Sequence, residues 1–130
     1  MIIAFPTTEA RIAAAERDLG VKLPGEYRLR LMARNGGELS TAGHDWQVFP
    51  VLDTTGGENV VRSASHIVSE TKKARGLEGF PKDAVAIASN GTGDYLVLMP
   101  ARSAGHLDPQ VQLWNGETHK CKPVALRYDD

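Results

Sequence analysis

One cysteine, Cys121, is all the chain carries, so no disulfide forms within it and a reducing cytoplasm is its expected home. No apolar run approaches the ~20 residues that a membrane helix needs; the longest covers residues 95–101. The first ten residues hold no basic group and include Pro6 and Glu9, which argues against a secretory signal. Neither charge sign is in excess. Lys and Arg number 15 against 16 Asp and Glu, for a formal net charge of −1, and residues 1–50 carry six of each sign. A dedicated nucleic-acid binder needs a basic stripe to neutralise phosphates, so that class is disfavoured. Repeats, low-complexity tracts and linkers are absent. What remains is 130 residues, 42% hydrophobic. A chain of this size buries about two-thirds of its unfolded surface, and the expectation is one domain over residues 1–130.

The chemical inventory is equally thin. His44-Asp45, His106-x-Asp108 and His119-x-Cys121 each offer two metal ligands, whereas a zinc site takes three or four at fixed spacing. Cys121 stands between two lysines, but no base or orienting group is paired with it, so it reads as a strand cysteine. Gly91-Thr92-Gly93-Asp94 suggests a phosphate loop until its context is weighed. A strand pattern follows instead of a helix, Leu96 replaces the third glycine, and Asp94 repels phosphate. The alternate spacing of Asn90, Thr92 and Asp94 resembles a calcium loop, but its twelfth position is Ala101 rather than Glu. No catalytic residue, cofactor or metal is expected.

Periodicity supplies the fold. Thr7 as N-cap, Ile12, Ala15 and Leu19 at helical spacing, and Gly20 as stop predict a helix over residues 8–19. Pro24 opens a second helix over 24–34, with Leu29, Met32 and Ala33 on one stripe and Tyr27 and Leu31 on an adjacent one. Asn35-Gly36-Gly37 ends it, with a left-handed residue expected at Asn35 or Gly36. Ile12, Leu19, Leu29 and Met32 are expected to face a sheet. Residues 46–52 read as a strand in which Pro50 signals an edge or a bulge. Val60, Ala64, Ile67, Val68, Thr71 and Ala74 predict one further helix, stopped at Gly76. Strands follow at 84–89, 95–99 and 111–114, with turns at 90–94 and at Asn115-Gly116, and a last strand falls within 120–127. Helices first and strands later make an α+β fold: an N-terminal helical hairpin and a further helix packed on one mainly antiparallel sheet.

Ala15-Glu16-x-x-Leu19-Gly20-x-x-Leu23-Pro24-x-x-Tyr27, followed by Leu31-x-x-x-Asn35-Gly36-Gly37, resembles the opening of SUKH domains. Residues 87–94 resemble the central hairpin of that superfamily, and Val111-x-x-Trp114 a later strand. The superfamily contains fungal cell-wall-synthesis regulators and many bacterial immunity proteins. The resemblance implies helices packed on one sheet, and protein binding, typically toxin neutralisation, instead of catalysis. Glu16, Leu23, Pro24, Tyr27, Asn35, Gly36, Gly37 and Trp114 are the motif positions expected to be structural. The family usually adds a helix after the last strand, where this chain has Tyr128-Asp129-Asp130.

Asp45, Trp46 and Asp94 are the candidate partner-binding residues. Tryptophan is enriched at binding hot spots, and acids on loops at a sheet edge suit a basic, nuclease-type toxin. Arg28, Arg30 and Arg34 on the second helix offer the alternative of nucleic-acid association, and a regulatory scaffold or, last in order, an unrecognised enzyme are the further alternatives. The expected partner is a protein, a toxin domain, with no membrane.

Overall fold

The computed structural model describes residues 5–126. Among them four helices, α1 (Glu9–Leu19), α2 (Gly25–Ala33), α3 (Gly57–Arg62) and α4 (Ile67–Arg75), accompany six strands. These are β1 (Glu38–Thr41), β2 (His44–Val48), β3 (Val85–Ser89), β4 (Tyr95–Pro100), β5 (Leu107–Trp114) and β6 (Cys121–Pro123). The strands form one sheet in sequence order, each antiparallel to the next, so the fold is α+β. The sheet curls: Thr41 Oγ1 at the end of β1 donates to the Ala125 carbonyl just past β6, joining the two ends of the strand order.

Helix α1 is capped by Thr8, one residue later than the sequence suggests; its hydroxyl accepts from Arg11 N at 3.3 Å, and Gly20 ends the helix at φ 78°. Ile12 and Ala15 are buried as expected. On α2 the stripes are exchanged. Leu29 is 68% exposed and Met32 lies at the surface, whereas Tyr27, Arg30 and Leu31 face the core. Both stripes have helical spacing, and only the position of the neighbouring elements selects between them.

The strand expected over residues 46–52 starts and ends earlier than expected, and Pro50 lies outside it. β2 ends at Val48, before Pro50, and is interior to the sheet; the edge is β1, which precedes it. Past that end, Phe49 N still donates to Ile87 O at 2.9 Å and Pro50 O accepts from Ile67 N at 2.7 Å. Helix α4 then takes the missing strand's place. Thr71 Oγ1 accepts from Ala86 N at 3.1 Å and donates to Ala86 O at 3.3 Å, and Arg75 Nε donates to Ala84 O. A backbone group at a buried sheet edge must find a partner, and here a threonine hydroxyl supplies both halves.

The single helix expected from Val60 to Ala74 is two. Ser63, fully buried, interrupts it: its hydroxyl accepts from Asp53 N at 2.9 Å and donates to Asn59 O at 2.6 Å. Val60, Val61 and Ala64 consequently lie exposed, and the apolar stripe begins only at Ile67.

Asp53 anchors this corner. Its Oδ1 accepts from Thr55 Oγ1 at 2.5 Å and Thr55 N at 2.8 Å, with Arg11 Nε at 3.4 Å. The hydroxyl, then the amide, hold its carboxyl below the usual 3.8; burial opposes them and Arg11 assists. A folded pKa below the unfolded one means that this contribution is complete above the ordinary carboxylate pKa. It is lost as pH falls through the lowered folded value. Asp53→Asn is expected to lower stability at neutral pH and to flatten its decline on acidification. Urea midpoints measured from pH 7 down to pH 2 check this; an unchanged acid slope would contradict it.

Candidate protein-binding site

In an antiparallel meander, alternate turns lie at the same end of the sheet. The β1–β2, β3–β4 and β5–β6 turns therefore share one end, and each is built differently. The first is Ala42-Gly43, a two-residue loop between the paired Thr41 and His44, with φ of 53° and 79°. Two consecutive positive φ values are the signature of the type I′ hairpin, here without an Asn-Gly sequence to announce it. In the second turn Asn90 Oδ1 accepts from Thr92 N at 3.0 Å and Thr92 Oγ1 at 2.8 Å. In the third, Asn115 Oδ1 accepts from Glu117 N at 2.8 Å and Thr118 N at 3.0 Å. Such side-chain acceptors replace the hydrogen bonds that a turn leaves open.

Asp94 joins the second and third turns. Its Oδ1 accepts from Gly116 N at 2.9 Å and its Oδ2 from Asn90 Nδ2 at 3.3 Å. The approach is close enough that a Cβ on Gly116 would stand 2.3 Å from Gly93 O, so glycine is required there. Beneath lies an aromatic cluster. Trp114 is buried, donates from Nε1 to Gly79 O at 3.1 Å, stacks on His119 and meets Phe80 edge-on.

The turns enclose a cavity of about 350 Å³ whose lining includes His44, Asp94, Leu113, Thr118, Lys120 and Lys122. Of the three residues expected to bind a partner, the structure brings only Asp94 to it. Asp45 is exposed at the same end, but strand alternation points it away from the face of His44, and its Oδ1 accepts from Ser40 Oγ at 2.6 Å. Trp46 is no surface anchor: it is 1% exposed and its Nε1 donates to Thr41 O at 3.0 Å. Burying its large apolar ring with the indole N–H satisfied stabilises the β1–β2 hairpin from within. The sequence reading missed His44, Lys120 and Lys122. Turn parity in a meander is the signal that would have found them.

Two depressions of about 370 and 670 Å³ lie at the opposite end, either side of the contact between Lys22 and His106. Charges around them are largely paired among themselves, Arg28 with Glu9 at 3.3 Å and with Glu16 at 3.4 Å. Arg30 is buried, and its guanidinium donates to the Arg34 and Gly36 carbonyls at 3.0 and 3.2 Å. Two of the arginines that suggested nucleic-acid contact, Arg28 and Arg30, are therefore engaged within the fold. Among the described residues no group of three or more His, Cys, Asp or Glu side chains is placed to hold a metal ion, and no helix is long and apolar enough to cross a membrane.

The motif positions are packed or hydrogen-bonded within the fold. Leu23 and Tyr27 are buried, and Pro24 is the N-cap of α2. Glu16 Oε2, deep in the helical hairpin, accepts from Leu23 N at 2.7 Å. Asn35 is fully buried, and its side chain exchanges two hydrogen bonds with the Val51 backbone. Helix α2 ends at Ala33, one residue earlier than expected, and its C-cap Arg34 has extended backbone at φ −140°, so the left-handed residue is not the stop itself. It does occur, at Gly36 with φ 88°, followed by Gly37 at 82°, whose carbonyl accepts from Val48 N at 2.9 Å. Gly36→Ala is expected to destabilise by about 1 kcal/mol, because an L side chain is strained at that φ. An added Cβ there meets Pro50 only at ordinary contact distance, so strain and not collision sets the cost. Urea unfolding measures it, and an unchanged midpoint would refute it.

No curated protein matches the chain in sequence. The motif residues nonetheless occupy the places that a helical hairpin, a glycine turn and a curled antiparallel sheet require, and with the SMI1 / KNR4 family (SUKH-1) model matching residues 6–130, the chain belongs to that family.

Proposed function

We propose that this protein is a non-enzymatic protein-binding domain acting in the cytoplasm as an immunity protein, neutralising a toxin by covering its active site or substrate path. The observation that carries the reading is membership of the SMI1/KNR4 family across residues 6–130, a family consistent with protein–protein interaction instead of catalysis. The geometry supports the place of contact. Three rigid turns converge around an open cavity, and loops held by a sheet supply contacts without a large ordering cost on binding. A standard interface takes about 800 Å² from each partner, within reach of one end of this sheet and its rim.

Within this reading the roles of the three candidate residues differ. Asp45 is an exposed contact on the rim, outside the cavity, Trp46 holds the first hairpin in place, and Asp94 locks the second turn to the third. The test is co-expression with any toxin domain found encoded beside this protein. Rescue of growth and a one-to-one complex are expected, with Asp45→Ala weakening the complex while leaving the fold intact. Failure of the wild-type protein to bind or neutralise any linked toxin would overturn the immunity assignment.

A further inference from the structure

We propose that the cavity at the hairpin end takes an acidic segment of the partner protein, with Lys120 and Lys122 as its cationic arms. This rests on the protein-binding reading and reverses the charge expected from the sequence, an acidic surface for a basic toxin.

Three placements lead to it. Lys120 and Lys122 are exposed, line the cavity, and form no ion pair among the described residues. Lys122 lies in β6, paired with Leu113, and Lys120 immediately precedes that strand. Two ammonium groups on one lining can each meet a carboxylate of an acidic chain. Second, the acids nearby are committed or turned away. Asp94 accepts from Gly116 N and Asn90 Nδ2, which fixes its carboxylate between two turns. Asp45 stands on the other face against Ser40, and Glu117 lies exposed on the third turn, outside the cavity lining. Third, the remaining polar lining is suited to an acceptor: the Thr118 hydroxyl and the His44 ring stand with the lysines, above the buried Leu113. With one acid and two lysines the lining carries net positive charge, so it attracts acidic surfaces and repels basic ones.

Cys121, the only cysteine, lies in the same lining and reports occupancy. Alkylation by a neutral maleimide is measured on the full-length protein with a short oligo-glutamate, oligo-lysine or oligo-serine peptide, or a short single-stranded oligonucleotide. Oligo-glutamate is expected to slow Cys121 modification at least about threefold, with oligo-lysine and oligo-serine without effect. The double variant Lys120→Glu/Lys122→Glu should lose the protection, and Lys72→Glu/Lys82→Glu, exposed elsewhere, should keep it. Protection by oligo-lysine, equal protection in the Lys120/Lys122 variant, or no protection by oligo-glutamate would overturn the proposal. Stronger protection by the oligonucleotide would replace an acidic protein segment with a nucleic acid. The two readings separate in co-purification: a linked toxin that still binds Lys120→Glu/Lys122→Glu with undiminished affinity leaves protein binding standing and removes the acidic partner.

Discussion

Asn35→Asp is expected to lose up to about 4 kcal/mol of stability at pH 7 relative to the wild type, and to recover most of it below pH 4. Asn35 is 0% exposed and every polar group it owns is used. Its amide donates to Val51 O at 3.0 Å, its side-chain oxygen accepts from Val51 N at 2.8 Å, and its backbone exchanges hydrogen bonds with Phe5. The side chain thus acts as one link of a β-ladder, joining the end of α2 to the chain that leaves β2. A carboxylate of the same shape has no proton for Val51 O and places a charge in a dry site. The protonated acid restores both bonds. Keeping an acid of ordinary pKa ~3.9 protonated at pH 7 costs about 4 kcal/mol, at 1.36 kcal/mol per pH unit, which sets the ceiling. The folded pKa of the introduced acid is raised above the unfolded one, so its stability is greatest below the unfolded value. It falls as pH rises toward the folded value. Domains of this kind are stable by only about 5–15 kcal/mol, so the loss is a large fraction. Urea unfolding of both proteins at pH 7 and near pH 3.5 decides the matter. A deficit that does not change with pH would show that the Val51 bonds are not its source.

The second large effect belongs to Glu16. Glu16→Ala is expected to cost roughly 3 kcal/mol, and Glu16→Gln about 1 kcal/mol. The side chain is 2% exposed; Oε2 receives Leu23 N at 2.7 Å and Arg28 Nε lies at 3.4 Å. Leu23 stands in the tight link between α1 and α2, so the carboxylate clasps the hairpin at its turn. Alanine leaves a buried N–H unpaired and removes one of the two carboxylates that Arg28 meets among the described residues, leaving it Glu9. Glutamine keeps an oxygen for Leu23 N and surrenders only the charge, while its amide replaces Oε1, which accepts no hydrogen bond among the described residues. The ordering of the two variants in denaturant midpoint is the check. Equal losses would mean that the ion pair with Arg28 carries the effect and the Leu23 bond does not.

These two residues show why the motif was readable and its purpose was not. Glu16 and Asn35 stand out in the sequence only by spacing, seven residues before Leu23 and immediately before two glycines. The partner that explains Asn35 is Val51, sixteen residues on, and no periodicity connects them. Arg30 is harder still. An arginine on a helix normally reads as solvated, yet this one is buried, because its guanidinium reaches the carbonyls of Arg34 and Gly36 beyond the helix end. The break at Ser63 belongs to the same group: a regular apolar repeat predicts one helix, and a hydrogen bond from Asp53 N to Ser63 Oγ helps divide it.

The candidate site was half legible. Turn residues at 90–94 and 115–116 were plain, since Asn and Gly accept backbone angles that other residues avoid. Asp45, Trp46 and Asp94 all fall at the end of the sheet where the site is proposed, but their choice did not distinguish its faces. Side chains alternate along a strand, so a one-residue difference in register turns a contact into a core residue or away from the cavity.

By itself the sequence determined the class of fold, the helical hairpin, the order of the later strands and the family, because these follow from local backbone preference and the period of apolar residues. The tertiary structure decided which stripe of α2 is buried, where the helix before β3 divides, that Asp94 is bound to Gly116, and that Lys120 and Lys122 line the open cavity. Each of those depends on groups distant in the chain meeting in space, where hydrogen bonding and burial outweigh local propensity.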